Sequence, residues 1–120
     1  MKKSSCSIAL VGFGTVGTAV ARLLGGGLGN RLRITHVCNR NIEKKRVDWL
    51  SDGVKWTDDI GVVLSSEVDI IVELIGGEDP ATDWIRRSLR SGKSVVTANK
   101  QVIARYGAEL EVIAREKNRC

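Results

Sequence analysis

The sequence is poor in most of what specialised chemistry requires. Of its 120 residues, 4% are aromatic, one is proline, one is histidine and three are cysteine. The aromatics (Phe13, Trp49, Trp56, Trp84 and Tyr106) are too few and too scattered for a base-stacking platform, so no nucleic-acid partner is expected. Cys6, Cys38 and Cys120 are an odd number with no C-x-x-C spacing, so they cannot build a disulfide framework. With His36 as the only histidine they supply no zinc ligand set, and no metal site is expected. Cys6 and Cys38 read as reduced small hydrophobes, and His36 as a strand residue without a catalytic part. The longest uncharged apolar runs, such as Ile8 to Val11 and Ile70 to Val72, are too short to span a bilayer, so no membrane partner is expected either. Met1-Lys2-Lys3 has the basic start of a signal peptide. Ser4-Ser5-Cys6-Ser7 and only a few apolar residues follow before glycine, so the chain is expected in the cytoplasm.

What remains is an ordinary globular composition, 42% hydrophobic and 28% charged. The length suits one domain, residues 1–120, with a single core and nothing left over for a second. Lys and Arg exceed Asp and Glu by 5, with a pI near 9.4. This positive tilt has two readings: a solvated surface, or a ligand carrying phosphate.

Short β-like runs alternate with longer helical ones. Ser7 to Val11 is a compact strand stopped by Gly12. From Thr15 to Leu24, Val16, Ala19, Val20, Leu23 and Leu24 recur at helical spacing as one apolar face, and Gly25-Gly26-Gly27 ends the helix. Ile34 to Cys38 reads as a second strand, Asn41 to Leu50 as loop or short helix, and Asp58 or Asp59 as the cap of a short helix through Leu64. Val68 to Leu74 is nearly continuous apolar residue, the pattern of a strand buried on both faces. Asp79 as cap and Pro80 at the first helical position predict a helix to about Arg90. Ser94 to Thr97 is another strand. A helix resumes near Lys100 with Ile103, Tyr106, Leu110, Ile113 and Ala114 on one face and Gly107 as a break. Strands alternating with helices predict an α/β fold: a doubly wound, mostly parallel sheet of the Rossmann dinucleotide-binding type.

Gly12-Phe13-Gly14-Thr15-Val16-Gly17 is a G-x-G-x-x-G that follows a strand and opens a helix, the context in which this string binds a dinucleotide. Gly12 permits the tight turn, Gly14 leaves room for the pyrophosphate, and Gly17 lets helix and sheet approach. The N–H groups and positive dipole end of the helix then meet the phosphates. No Gly-Lys-Ser/Thr follows, which excludes a Walker loop, and the helix that follows excludes a kinase glycine loop. The other reading is a turn of three glycines without a ligand.

An NAD site commonly has an acid at the end of the second strand to hold the ribose 2′-hydroxyl. Here Cys38-Asn39-Arg40-Asn41 occupies that place, and Arg40, Lys44, Lys45 and Arg46 crowd it with positive charge. A guanidinium suits a 2′-phosphate, so NADP is the expected cofactor with NAD possible; the alternative is a solvated basic loop. Ile75-Gly76-Gly77 and Ala98-Asn99-Lys100 follow strands and should face the crevice at the nicotinamide end. Lys100 there is placed to polarise a carbonyl or donate a proton, although any surface lysine can occupy such an edge. Glu73 reads as a cap for backbone N–H groups.

The segments IALVGFGTVG (Ile8 to Gly17), DIIVELIGG (Asp69 to Gly77) and SVVTANK (Ser94 to Lys100), with the turn at Gly92 to Ser94, strongly resemble the nucleotide-binding domain of homoserine dehydrogenases. The resemblance covers the whole chain. It implies cofactor contacts from Gly12, Phe13, Gly14, Thr15, Val16, Gly17, Arg40, Ile75, Gly76, Thr97, Asn99 and Lys100, and it makes Lys100 the catalytic lysine. The acid that often follows the family's arginine is Asn41 here. The implied reaction is the NAD(P)-dependent interconversion of L-aspartate 4-semialdehyde and L-homoserine, on the route to threonine and methionine, with a lysine-linked proton relay serving the oxygen. The family is expected to be homo-oligomeric. Its substrate region follows this domain, so the chain as given is expected to bind nucleotide and turn over little, and a semialdehyde substrate is expected only with such a region present. Rival readings are another amino-acid oxidoreductase of this fold, such as an aspartate dehydrogenase, and a nucleotide-sensing module without catalysis.

Overall fold

The computed structural model describes residues 5–25, 31–50 and 53–120. The basic start at Met1 to Lys3, and Gly26-Gly27 of the expected helix stop, lie outside them. The elements in chain order are β1 (Cys6–Val11), α1 (Thr15–Gly25), β2 (Leu32–Cys38), α2 (Ile42–Lys45), β3 (Lys55–Thr57), α3 (Ile60–Leu64), β4 (Ile70–Glu73), α4 (Ala81–Arg90), β5 (Ser94–Thr97) and α5 (Lys100–Glu116). The sheet runs β3-β2-β1-β4-β5. Every pairing in it is parallel. This is the expected doubly wound α/β fold, with one more strand than the sequence pattern suggested.

β1 lies at the centre because its residues suit both faces of the sheet. Ile8 and Leu10 join Phe13, Ala21 and Val37 in one cluster, while Ala9 and Val11 join Cys38, Val63 and Ile71 in another. β4 shares this two-sided burial, with Ile71 in the second cluster and Ile70 and Val72 packed on the first. Its strand is shorter than the apolar run, since Val68 precedes it and Leu74 follows it. A third cluster joins α4 to α5 through Ala81, Ile85, Leu89, Val102 and Leu110. The chain builds outward from β1 to β3, then returns to the other side of β1 as β4. That reversal opens a crevice beyond the carboxyl ends of β1 and β4.

Four local expectations are corrected. α1 buries Gly17 and Ala21, with Val20 and Leu24 half-buried, while Val16 and Leu23 stand 56% and 71% exposed. Small residues let this helix come close to the sheet, and the larger ones turn outward. β3 was not legible as a strand: it is a short, partly exposed edge with no apolar run. At α4, Pro80 takes the capping position and the helix starts at Ala81, one residue later than expected and without a side-chain cap bond. Gly107 does not break α5, which runs uninterrupted from Lys100 to Glu116. Asp59 does cap α3, accepting the Gly61 N–H at 2.8 Å.

Candidate functional site

The glycine turn between β1 and α1 forms the floor of a cleft of about 390 Å³. Its walls are Asn39 and Arg40 after β2, Leu74 to Gly76 after β4, Asp79 and Pro80 before α4, and Trp84 on α4. Gly12 has φ +106°, and a Cβ on it would lie 2.9 Å from the Leu74 carbonyl carbon and from Ile75 Cγ2. Only glycine satisfies both the left-handed backbone and that approach. Gly14, by contrast, is exposed, and a Cβ built on it would meet nothing within 4 Å. The space above Gly14 is therefore open to a ligand, next to helix-start N–H groups that have no acceptor within α1.

Asn39 ties this turn to the next loop. Its Oδ1 accepts the Phe13 N–H at 3.0 Å, and its Nδ2 donates to the Arg40 carbonyl at 2.6 Å. The backbone repeats the link, with Gly12 N–H donating to the Cys38 carbonyl at 2.8 Å. Asn41 then adopts φ +53°, a left-handed conformation that asparagine tolerates, and leaves Arg40 exposed on the cleft wall. The basic segment divides at this point. Arg40 lines the main cleft, whereas Lys44 and Lys45 line a second depression with Phe13, Gly14, Thr15 and Thr18.

On the opposite wall, Glu73 is 1% exposed at the end of β4. Its Oε2 accepts the Ile75 N–H at 2.9 Å, as a cap should, and its Oε1 also accepts the Thr97 hydroxyl. Thr97 Oγ1 accepts the Asn99 N–H at 2.9 Å. Asn99 in turn donates Nδ2 to the Gly77 carbonyl and caps α5 by accepting the Val102 N–H at 3.2 Å.

The structure thus brings Gly12, Phe13, Gly14, Arg40, Ile75 and Gly76 to one cleft. Thr15 lines the adjoining depression, Val16 points outward, and Gly17 is buried beneath the turn. Thr97 and Asn99 belong to the polar network behind the cleft. Lys100 is exposed at the first position of α5, outside the residues that line the cleft. Residue patterns did not point to Asn39 or Trp84. Asn39 carried a readable sign, an amide placed directly after a strand, but Trp84 reaches the cleft only through the packing of α4.

The remaining polar groups lie elsewhere. His36 on β2 meets the Thr35 hydroxyl at 2.8 Å through Nδ1, and burial with nearby Lys55 and Lys93 lowers its pKa. The three cysteines are free thiols. Among the described residues no helix is long and apolar enough to cross a membrane.

Comparison with known proteins gives a consistent picture. The sequence profile described as "Homoserine dehydrogenase, NAD binding domain" matches residues 12–120. Homoserine dehydrogenase of Corynebacterium glutamicum is 37% identical over 96% of this chain and 27% of its own length. The crystal structure of S. aureus homoserine dehydrogenase superposes with a TM-score of 0.87 at 34% identity, over 99% of this chain and 32% of that one. A hyperthermophilic archaeal homoserine dehydrogenase mutant in complex with NADPH has a TM-score of 0.75 at 25% identity, over 95% of this chain and 42% of that one. The chain therefore spans between about a quarter and two fifths of the length of these relatives.

Proposed function

The chain belongs to the homoserine dehydrogenase NAD-binding domain family, and from that membership we propose that residues 1–120 act as one unit that holds the nicotinamide dinucleotide for the interconversion of L-aspartate 4-semialdehyde and L-homoserine. The observation that carries this reading is the open space above Gly14, at a helix start and between Arg40 and the Ile75-Gly76 loop. A phosphate-bearing ligand fits there, since the turn offers backbone N–H groups and the flank offers a guanidinium.

Each residue then has a part. Gly12, Phe13, Gly14, Thr15 and Val16 form the pyrophosphate turn, and Gly17 lets α1 seat beneath it. Arg40 stands where the ribose 2′ substituent is expected, which favours NADP over NAD, with Lys44 and Lys45 adding positive potential on the far side of Gly14. Ile75 and Gly76 form the facing wall, with Thr97 and Asn99 fixing the loop edge that carries Lys100. The bound dinucleotide supplies or accepts the hydride. Lys100 serves the substrate oxygen by polarising it and passing a proton. Because the chain spans 27% of the C. glutamicum relative, turnover is proposed of a whole enzyme of that size and dinucleotide binding of this chain. The family setting also suggests a homo-oligomer, and the three free thiols suit the reducing cytoplasm.

Calorimetric titration of NADPH and NADH into the 120-residue chain tests the reading. Saturable binding of NADPH is expected. Absence of binding for both nucleotides overturns it.

A further inference from the structure

We propose that Glu73 is a positioning residue, whose carboxylate locks the two loops at the nicotinamide end of the cleft into one unit; this rests on the dinucleotide reading above. A carboxylate taken out of water costs stability unless hydrogen bonds replace its hydration. At 1% exposure Glu73 has left water, and both of its oxygens are engaged. The two partners belong to different segments. Ile75 N–H lies on the loop after β4, and Thr97 is the last residue of β5, where the loop to α5 departs. Thr97 relays the contact to the Asn99 N–H, and Asn99 returns it to the Gly77 carbonyl, so the connection runs out along one loop and back to the other.

This closed circuit has a direction. On the cleft side it sets Ile75 and Gly76, and on the α5 side it sets Asn99, the residue before Lys100. The alternative role for Glu73, a cap for one N–H group, would need one oxygen. The second oxygen reaches Thr97 on the neighbouring strand, and the Thr97 oxygen already accepts from Asn99. Glutamate is the residue that supplies two acceptors at this length. Glutamine keeps the shape but has one acceptor, so its Nε2 can meet Thr97 only by donating to an oxygen that already accepts from Asn99, which removes the charge from the contact and leaves the Thr97 hydroxyl proton without its acceptor.

The test compares whole and half cofactor. Wild type and Glu73→Gln are titrated with NADPH and with adenosine 2′,5′-bisphosphate, which carries the adenosine part and no nicotinamide. The expected result is an NADPH affinity about tenfold weaker, the scale of one lost buried hydrogen bond, with the bisphosphate changed by less than about twofold. Equal losses for both ligands make Glu73 a general support of the fold, and no loss for either makes it a cap alone; each overturns the proposal. Failure of the wild type to bind NADPH overturns the dinucleotide reading itself, and this proposal with it. Should Glu73→Gln not fold by circular dichroism, Thr97→Val breaks the same circuit at its middle and is held to the same two-ligand ratio.

Discussion

Gly17 seats so closely under Gly12 that a Cβ on Gly17 would lie 2.4 Å from the Gly12 carbonyl oxygen. Real Cβ atoms do not approach backbone that closely, so Gly17→Ala must push α1 away from the turn. A loss of about 1–3 kcal/mol of stability is expected, the scale of an overpacked interior, with nucleotide binding weakened as a by-product. Gly14→Val should do the reverse. Its Cβ meets open space, so chemical denaturation should resemble wild type while NADPH binding disappears. A Gly14→Val variant that unfolds early, or still binds NADPH, contradicts this division.

Arg40 should govern the choice of cofactor. If its guanidinium meets the 2′-phosphate, the chain binds NADPH at least about tenfold more tightly than NADH, and Arg40→Ala narrows the ratio. High salt should narrow it as well, since Arg40 is exposed and screening reaches it. Equal affinities for the two nucleotides at low salt would refute the assignment.

Lys100→Ala should separate binding from chemistry. The residue stands at the start of α5 and outside the cleft lining, so calorimetry should find NADPH affinity within about twofold of wild type. The loss should fall on turnover, measured after the substitution is made in a whole homoserine dehydrogenase carrying this domain. If binding vanishes as it does for Gly14→Val, Lys100 is a phosphate contact and not the proton carrier.

Cys38 offers a prediction in pH. Burial, reinforced by the negative charges of Asp58 and Asp59, pushes its thiol up to about 11. At neutral pH it should resist alkylation while exposed Cys120 reacts, and mass spectrometry of the native and denatured chain distinguishes the two sites. The unfolded chain releases this proton near pH 9.0 and the folded one only near 11, so this thiol makes stability fall as pH rises through that window. Cys38→Ala should remove a slope of up to about 1.4 kcal/mol per pH unit. An unchanged alkaline profile would contradict the burial argument.

Much of this arrangement was readable before any coordinates. The glycine string, the strand from Ser7 to Val11, the strand inside the run Val68 to Leu74, and a cap at Asp58 or Asp59 all depend on local chemistry; β4 proves shorter than its run, and of the two acids Asp59 is the cap. What escaped reading depends on distance across the fold. Apolar periodicity marked Val16 and Leu23 as core, but the inward face of α1 is chosen by how close Gly17 and Ala21 allow it to come. Lys55–Thr57 becomes a strand because β2 offers it an edge, and nothing in those residues announces that. Glu73 appeared as a simple cap because its second partner, Thr97, is on the neighbouring strand. Arg40, Ile75 and Gly76 on the cleft walls were foreseeable, whereas the bonds from Thr97 to Glu73 and from Asn99 to Gly77 were not.

The central place of β1 has a consequence for the order of events during synthesis. β1 leaves the ribosome before the other described strands, yet its second edge waits for β4, and the Ser7 N–H finds Asp69 62 residues later. Until then Ile8 to Val11 present an unpaired apolar edge, the kind of surface that invites association with other chains. Parallel pairing at such separation is slow, because the loop must close before any contact rewards it. The Gly12 turn also packs on Leu74 and Ile75, which emerge later still. The first glycine turn of the polypeptide thus cannot acquire its shape until β4 and the residues after it have emerged, and a nascent chain stopped before Ile70 holds the glycine string without the pocket.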